Sequence, residues 1–460
     1  MEVKNMERKT KLARLAAAWL AVCALCLPLL LGSCGDDEYE KPLTTQTPTA
    51  LISPATLRAW MDAGLVNGEG FDRVIIVDVN TSANYNTGHI PGARFLDYTR
   101  MSQHRLEGPA VSSTEMVTGE NMDVIIRELG ITKNTTLVFT GSAYWQMSRA
   151  YYTFRYWGFP KNRLKVLDGI NLTGANTWRA LYAPVLPDTD YGTDAPPPAV
   201  ATAYSVRDNG TLRNDLRISL SEMIDYAEGK VSNALAIDVR GATTSYAGTA
   251  GSTGSTFGAS DQPVFEGHIN GAKAMTNSDV YVTASIFKDP ATIAGYFTPL
   301  GLDSTKTAYL YCKVGFLGPI VFFALDGILG WPAAFYDGSW TQWGQLSANA
   351  SMGGTLAANS PWRTDTASRS ELIVYNRDWN NDSTYDYAIE LLSYDGSKCS
   401  GTLATSGAIT YSPAGCDSDP ALLGAPESLV SSGNQIEGDD MEYMKSGSGG
   451  SGGGGGSGGC

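Results

Sequence analysis

Short, almost wholly apolar runs alternate in this chain with stretches whose apolar residues recur at three- and four-residue spacing. Arg73 to Val79 (RVIIVDV) and Thr135 to Thr140 (TTLVFT) have the length and β-branched content of strands buried on both faces. Around them, Pro54 to Ala63, Asn121 to Leu129 and Gln146 to Trp157 have helical character, the first opened by Ser53. A third strand, Leu164 to Leu167, closes on Asp168 and Gly169. That order predicts an α/β fold, a mostly parallel sheet with helices on both faces.

The order then returns. Ser219 to Glu228 predicts a helix, Ala234 to Val239 (ALAIDV) a strand, Asp289 to Leu300 a helix, and Ala308 to Tyr311 and Ala333 to Tyr336 two more strands. The element Gly88, His89, Ile90, Pro91, Gly92, Ala93 reappears as Gly267, His268, Ile269, Asn270, Gly271, Ala272, with asparagine replacing the proline. Asp168 and Gly169 reappear as Asp337 and Gly338. Such repetition predicts two copies of one domain, at 51–190 and 213–364. The linker 191–212 continues a Pro-rich stretch from Pro184 and carries Pro196, Pro197 and Pro198, which predicts an extended, stiff connection. Beyond the copies lie a small polar extension, 365–445, with β-like runs at Glu371 to Tyr375 and Tyr387 to Leu392, and a tail, 446–460.

At 460 residues, with 10 Trp and 23 Tyr, the chain has material for two or three packed domains. Its ends differ. Residues 1–33 combine Lys4, Arg8, Lys9, Lys11 and Arg14 with the apolar run Leu15 to Leu31, the pattern of a targeting segment. That run is broken by Pro28, which argues against a lone membrane span. Leu31, Gly32, Ser33 and Cys34 resemble the lipobox of bacterial lipoproteins, which implies lipidation at Cys34, a tether over 34–50 and a place in the bacterial cell envelope, periplasmic or at the outer membrane. Removing the leader takes the formal charge from −14 to about −17, so nucleic acid is not an expected partner.

Four cysteines remain: Cys312, Cys399, Cys416 and Cys460. Cys399 and Cys416 are spaced for a disulfide loop in an oxidising compartment. No CxxC pair occurs outside the leader, and the histidines are His89, His104 and His268, so neither a metal nor a cofactor is expected. Cys460 ends a run of Ser and Gly from Ser446 to Gly459, a random coil spanning ~20 Å on average. Such a thiol would act either as a resolving partner for Cys312 or as a simple tether.

Cys312 is the candidate nucleophile. Tyr309, Leu310 and Tyr311 deliver it to a loop with Gly315 and Gly318, followed by an apolar helix-like run. Glycines let such a loop curl its N–H groups toward one sulfur, and the helix that follows favours a thiolate. Arg240, at the end of the strand Ala234 to Val239, would orient an anionic donor or else pair with Asp238 or Glu266. Lys313 either adds charge beside the sulfur or is a solvated loop residue. Trp340 and Trp343 are expected to pack the domain floor.

These motifs are similar to those of the two-domain rhodanese sulfurtransferases acting on thiosulfate or 3-mercaptopyruvate. The similarity rests on Asp238-Val239-Arg240, on GHI with Gly271 and Ala272, on Tyr311-Cys312 before a Gly-containing loop, and on Tyr336 to Trp343. It implies two tandem rhodanese-like domains, a small sulfur donor, a thiol acceptor and a Cys312 persulfide, with Lys313, Val314, Gly315, Phe316 and Leu317 around the substrate. It also implies that the first copy is non-catalytic, since Thr140 stands at the family's cysteine position and Asn80 replaces Arg240. Arg149 and Arg155, on the helix after Thr140, would either reach the shared cleft or, as the favoured reading, make surface or interdomain salt bridges. Phe316 and Leu317 predict a greasy mouth that disfavours thiosulfate itself. The loop lacks the closing Arg of cysteine phosphatases. The Gly/Ser/Thr-rich insertion from Gly241 to Phe265 would be a surface loop or a lid. An alternative is a non-catalytic envelope lipoprotein that keeps the fold to bind or assemble redox proteins.

Overall fold

Parallel pairing of the buried strands organises the computed structural model. The structure describes residues 44–107, 110–169, 193–242, 244–247, 267–282, 286–346, 375–377, 386–388, 390–392, 397–403, 409–418 and 434–446. Cys34, Cys460 and the part of the insertion from 248 to 265 lie outside the described residues.

The first copy runs β1 (Leu51–Ile52), α1 (Pro54–Asp62), β2 (Val74–Asn80), α2 (Ser82–Thr87), β3 (Arg94–Asp97), β4 (Gln103–Glu107), β5 (Ala110–Glu115), α3 (Gly119–Leu129), β6 (Thr136–Thr140), α4 (Tyr144–Tyr156) and β7 (Leu164–Leu167). Its sheet has the order β1-β7-β6-β2-β3, parallel throughout. Side chains alternate across β2: Ile75, Val77 and Val79 join the core with α3 and α4, while Val74 and Ile76 join Leu57 and Trp60 of α1. The hairpin β4–β5 stands apart from this sheet.

The second copy runs α5 (Leu220–Ala227), β8 (Ala234–Asp238), α6 (Thr244–Ala247), β9 (Lys273–Ala274), β10 (Tyr281–Val282), β11 (Ile286–Phe287), α7 (Pro290–Phe297), β12 (Thr307–Tyr311), α8 (Gly318–Phe322), β13 (Ala333–Phe335) and α9 (Ser339–Leu346). Its sheet has the order β13-β12-β8-β9, again parallel. Trp340 and Trp343 are buried with Leu220, Ile224 and Tyr336 beneath one face of it, as expected. The linker is fastened rather than merely stiff: Asp123 accepts from the Ser205 hydroxyl at 2.7 Å and the Val206 N–H at 2.8 Å.

The extension contains β14 (Tyr375–Arg377), β15 (Asp386–Ala388), β16 (Glu390–Leu392), β17 (Ser397–Leu403) and β18 (Ile409–Ser418). Cys399 and Cys416 sit opposite each other in the antiparallel register of β17 and β18. It ends in a helix that its polar sequence did not announce, α10 (Gln435–Lys445).

The GHI element does the same job twice. His89 stacks on Tyr85 with ring centroids 3.8 Å apart, and His268 stacks on Tyr246 at 3.8 Å. Tyr85 and Tyr246 each donate to a backbone carbonyl, of Ala93 and Ala272, at 2.8 Å.

Strand register corrects one expectation. Asp78 pairs with Thr140 in the first sheet, and Asp238 with Tyr311 in the second. Thr140 therefore matches Tyr311, and Gly141 is the residue that stands where Cys312 does. Only Gly141, Ser142 and Ala143 precede α4, whereas Cys312 to Leu317 precede α8. The first loop is too short to wrap a sulfur, and a neutral network of Asn80, Asn84, Ser142 and Gln146 fills its place.

The copies meet along α4 and α8. One hydrophobic cluster runs through both, with Tyr152 edge-on to Phe322 and Phe335 and Tyr151 edge-on to Phe323. Past α8 the helix widens into a π-helical segment, Phe323–Leu329, which carries Asp326. Tyr151 donates to Asp326 at 2.7 Å and Arg155 at 3.2 Å, and Lys161 donates to its backbone carbonyl. Arg155 is thus an interdomain ion-pair residue. Burial opposes ionisation of Asp326, but Arg155 and Lys161 outweigh it and hold the carboxyl below its usual range. A depressed carboxyl stabilises the fold above its unfolded value and loses that contribution as pH falls through the folded one. Asp326→Asn strands the Arg155 guanidinium and should cost about 3 kcal/mol. Thermal melts should show the variant losing less stability on acidification than the parent; an equal acid slope would contradict this account.

Candidate active site

Cys312 follows the last residue of β12, at the carboxyl edge of the parallel sheet where such folds place their chemistry. It is 1% exposed. The Gly315 N–H donates to Cys312 Sγ at 3.2 Å, which requires the loop to double back; Gly315 does so at φ +82°. Ser339 braces the other side. Its hydroxyl accepts the Cys312 N–H at 3.3 Å, donates to the Tyr336 carbonyl at 2.9 Å and lies 4.0 Å from Sγ. Ser339 itself sits at φ +53°, a costly conformation for a residue with a side chain. The start of α9 completes the brace: the Trp340 N–H donates to the Cys312 carbonyl at 3.0 Å and the Thr341 N–H to that of Lys313 at 2.9 Å.

The rest of the cradle comes from the first copy. Arg149 of α4 donates to the Gly315 carbonyl at 3.0 Å. Its other nitrogens reach the Thr114 carbonyl of β5 at 2.9 Å and the Met101 carbonyl at 3.1 Å. Thr114 also bounds the loop: a Cβ on Gly315 would lie 3.1 Å from its hydroxyl and 2.8 Å from the Asp337 carbonyl.

Several expected site residues take other positions. Phe316 and Leu317 do not form an open greasy mouth. Phe316 is half-buried, edge-on to Trp145 at 5.3 Å and Tyr98 at 6.2 Å, and Leu317 packs on the shared core, because apolar loop residues gain more from the facing domain than from water. Arg240 is engaged by Asp238, with Nε 2.9 Å from Oδ1, and its guanidinium lies 5.1 Å from the Trp340 ring centroid. Lys313 and Val314 are half-buried in the loop.

Behind the loop lies a charged cluster that sequence reading missed. Arg217, fully buried, meets Glu107 at 2.8 Å, Asp337 at 2.9 Å, Glu115 at 3.1 Å and Glu437 at 3.4 Å. These acids come from both strands of the hairpin, from the Asp-Gly element and from α10. Asp440 of α10 also pairs with Arg105 at 2.9 Å, and Tyr443 donates to Asp123 at 2.7 Å. Burial raises Glu107 and Glu115 above the usual carboxylate range, the second further by Asp337.

Burial pushes the Glu437 carboxyl from 4.5 up to about 8, against the pull of Arg217 and with added repulsion from Glu222 and Glu107. A carboxyl raised by folding stabilises fully below its unfolded value, and that contribution is lost as pH rises through the folded one. The docking of α10 should therefore weaken between 4.5 and about 8. Hydrogen exchange of the α10 amides, corrected for intrinsic rate, should show protection falling across this window. Glu437→Gln should flatten the trend, and an unchanged slope would remove Glu437 as its source.

A rhodanese-like domain model matches residues 53–170. The chain is 29% identical over 276 residues to the sulfur carrier protein TtuD of Thermus thermophilus, covering 60% of this chain and 88% of that protein. It is 25% identical over 297 residues to a Haloferax volcanii protein named as a thiosulfate sulfurtransferase, covering 62% and 92%. The solved structure of an EanB variant in complex with hercynine shares the fold, with a TM-score of 0.50 at 18% identity over 64% of this chain and 67% of that one. The two curated alignments are longer than either copy alone, and with the domain match and the paired parallel sheets they show that this chain carries a rhodanese-like domain and is related to proteins named for sulfur transfer and sulfur carriage.

Proposed function

We propose that this enzyme moves sulfane sulfur from a small donor to a thiol or cyanide acceptor through a persulfide on Cys312. The Cys312 thiolate attacks the outer sulfur of thiosulfate, 3-mercaptopyruvate or a related donor. The donor's bond to that sulfur breaks, its electron pair leaves with the departing group, and the sulfur stays on Cys312. An acceptor nucleophile then attacks this outer sulfur and the Cys312 thiolate departs. The observation that carries the reading is the Gly315 N–H directed at a buried Sγ, a donor matched to negative charge on sulfur.

Incubation with each donor should add about 32 Da to the protein, the mass of one sulfur atom bound at the nucleophile. The adduct should vanish in Cys312→Ser. Gly141→Cys should not restore it in that background, because a Cβ there would lie 2.5 Å from the Val79 carbonyl. No adduct with any donor would refute the reading. The near-complete burial of Cys312 favours a second reading in that event, a rhodanese fold kept for binding or assembly with envelope redox proteins.

The enzyme is further proposed to be exported and lipid-anchored through Cys34, with Cys399 and Cys416 disulfide-bonded and Cys460 as a resolving thiol. Register supports the disulfide, since directly opposed antiparallel residues are close enough to bridge. Labelling of expressing cells with a fatty-acid analogue should mark the protein and fail in Cys34→Ser; label persisting in that variant would exclude the anchor.

A further inference from the structure

We propose that Arg149, supplied by the copy that lacks a nucleophile, is a positioning residue for the Cys312 loop. This rests on the persulfide reading for its purpose, although the property it concerns, the charge state of the Cys312 sulfur, is measurable without any sulfur donor.

The argument begins with what holds the Gly315 peptide units. Gly315 presents its N–H to Cys312 Sγ and its carbonyl to Arg149. At φ +82° the residue has no side chain to lock it, and its freedom must be restrained from outside. Ser339, Trp340 and Thr341 restrain the loop at Cys312 and Lys313. Arg149 restrains it at Gly315, from the opposite domain. The guanidinium is itself immobile: it is 1% exposed, and its remaining nitrogens are committed to the Met101 and Thr114 carbonyls. Asp337, shared with Arg217, lies 4.0 Å away, and the Arg149 nitrogens are spent on backbone carbonyls, so the effect of Arg149 on sulfur is chiefly geometric. A planar fork with fixed donors can hold several carbonyls at once, here those of Met101, Thr114, Glu115 and Gly315, whereas an ammonium cannot reproduce that geometry.

Arg155 provides an internal control. It is a second buried guanidinium of α4 that crosses to the other domain, but it ends on Asp326 and not on the loop. Loss of Arg155 should weaken the interface without moving Gly315.

The test is the pH profile of the Cys312 thiolate band in the ultraviolet, taken as the difference between each protein and its Cys312→Ser counterpart. In Arg149→Lys the freed Gly315 N–H no longer stays on sulfur, and the midpoint should rise by about one pH unit, roughly a tenfold loss of thiolate at a fixed pH below it. In Arg155→Lys the melting temperature should fall while the midpoint stays with the parent. Gly315→Ala displaces the same residue with Arg149 intact and should raise the midpoint too, which keeps the proposal testable if Arg149→Lys does not fold. A parental midpoint in Arg149→Lys or in Gly315→Ala overturns the proposal, as does an equal rise in Arg155→Lys. A raised midpoint in a protein that never accepts sulfur would leave the positioning role standing and refute the persulfide reading instead.

Discussion

Burying a guanidinium without partners for its charge is costly, and that constraint fixes how the two halves of this protein meet. Arg149 reaches backbone carbonyls on the first copy's own segments and on the second copy's cysteine loop. Arg217 does the reverse, carrying a second-copy charge into carboxylates of the β4–β5 hairpin. Each buried charge is satisfied only when the other domain is in place. The interface is therefore specific in register as well as apolar, and the Cys312 loop takes its shape from both sides of it.

This gives the first copy, which contains no cysteine, a structural role at the Cys312 loop. Its strand ends in Thr140, its loop is three residues long from Gly141 to Ala143, and side-chain amides and a hydroxyl form a network there. What it retains is α4, the hairpin and the aromatic wall of Tyr98 and Trp145 against which Phe316 rests. The duplicated domain has become part of the frame of the Cys312 loop.

Much of this was legible in the residues. The apolar runs of β2 and β6, the twin GHI elements and Cys312 before a glycine loop all announce themselves through local pattern. Three features did not. The acids buried in β4, β5 and α10 carry no apolar signal, so Glu107, Glu115, Glu437 and Asp440 look like solvated residues until Arg217 and Arg105 are placed beside them. Thr140 resembles a cysteine position in a one-dimensional comparison, and only the pairing of Asp78 with Thr140 assigns that position to Gly141. Phe316 rests on an aromatic wall and Arg240 lies near the face of Trp340, contacts that only the tertiary fold supplies, whereas the pairing of Arg240 with Asp238 was one of those the sequence offered.

The paired tyrosine–histidine stacks have a consequence for chain length. In the first copy the stacked residues are four apart in sequence; in the second, Tyr246 and His268 are 22 apart, yet the rings meet at the same 3.8 Å. The clasp, not the intervening sequence, sets the geometry of the strand edge on either side. Lengthening a segment whose ends are already held costs only about 0.6 kcal/mol per doubling. The second copy thus contains a port, next to the strand end that carries Arg240, where sequence can be added or exchanged while the register of the cysteine-bearing sheet stays fixed.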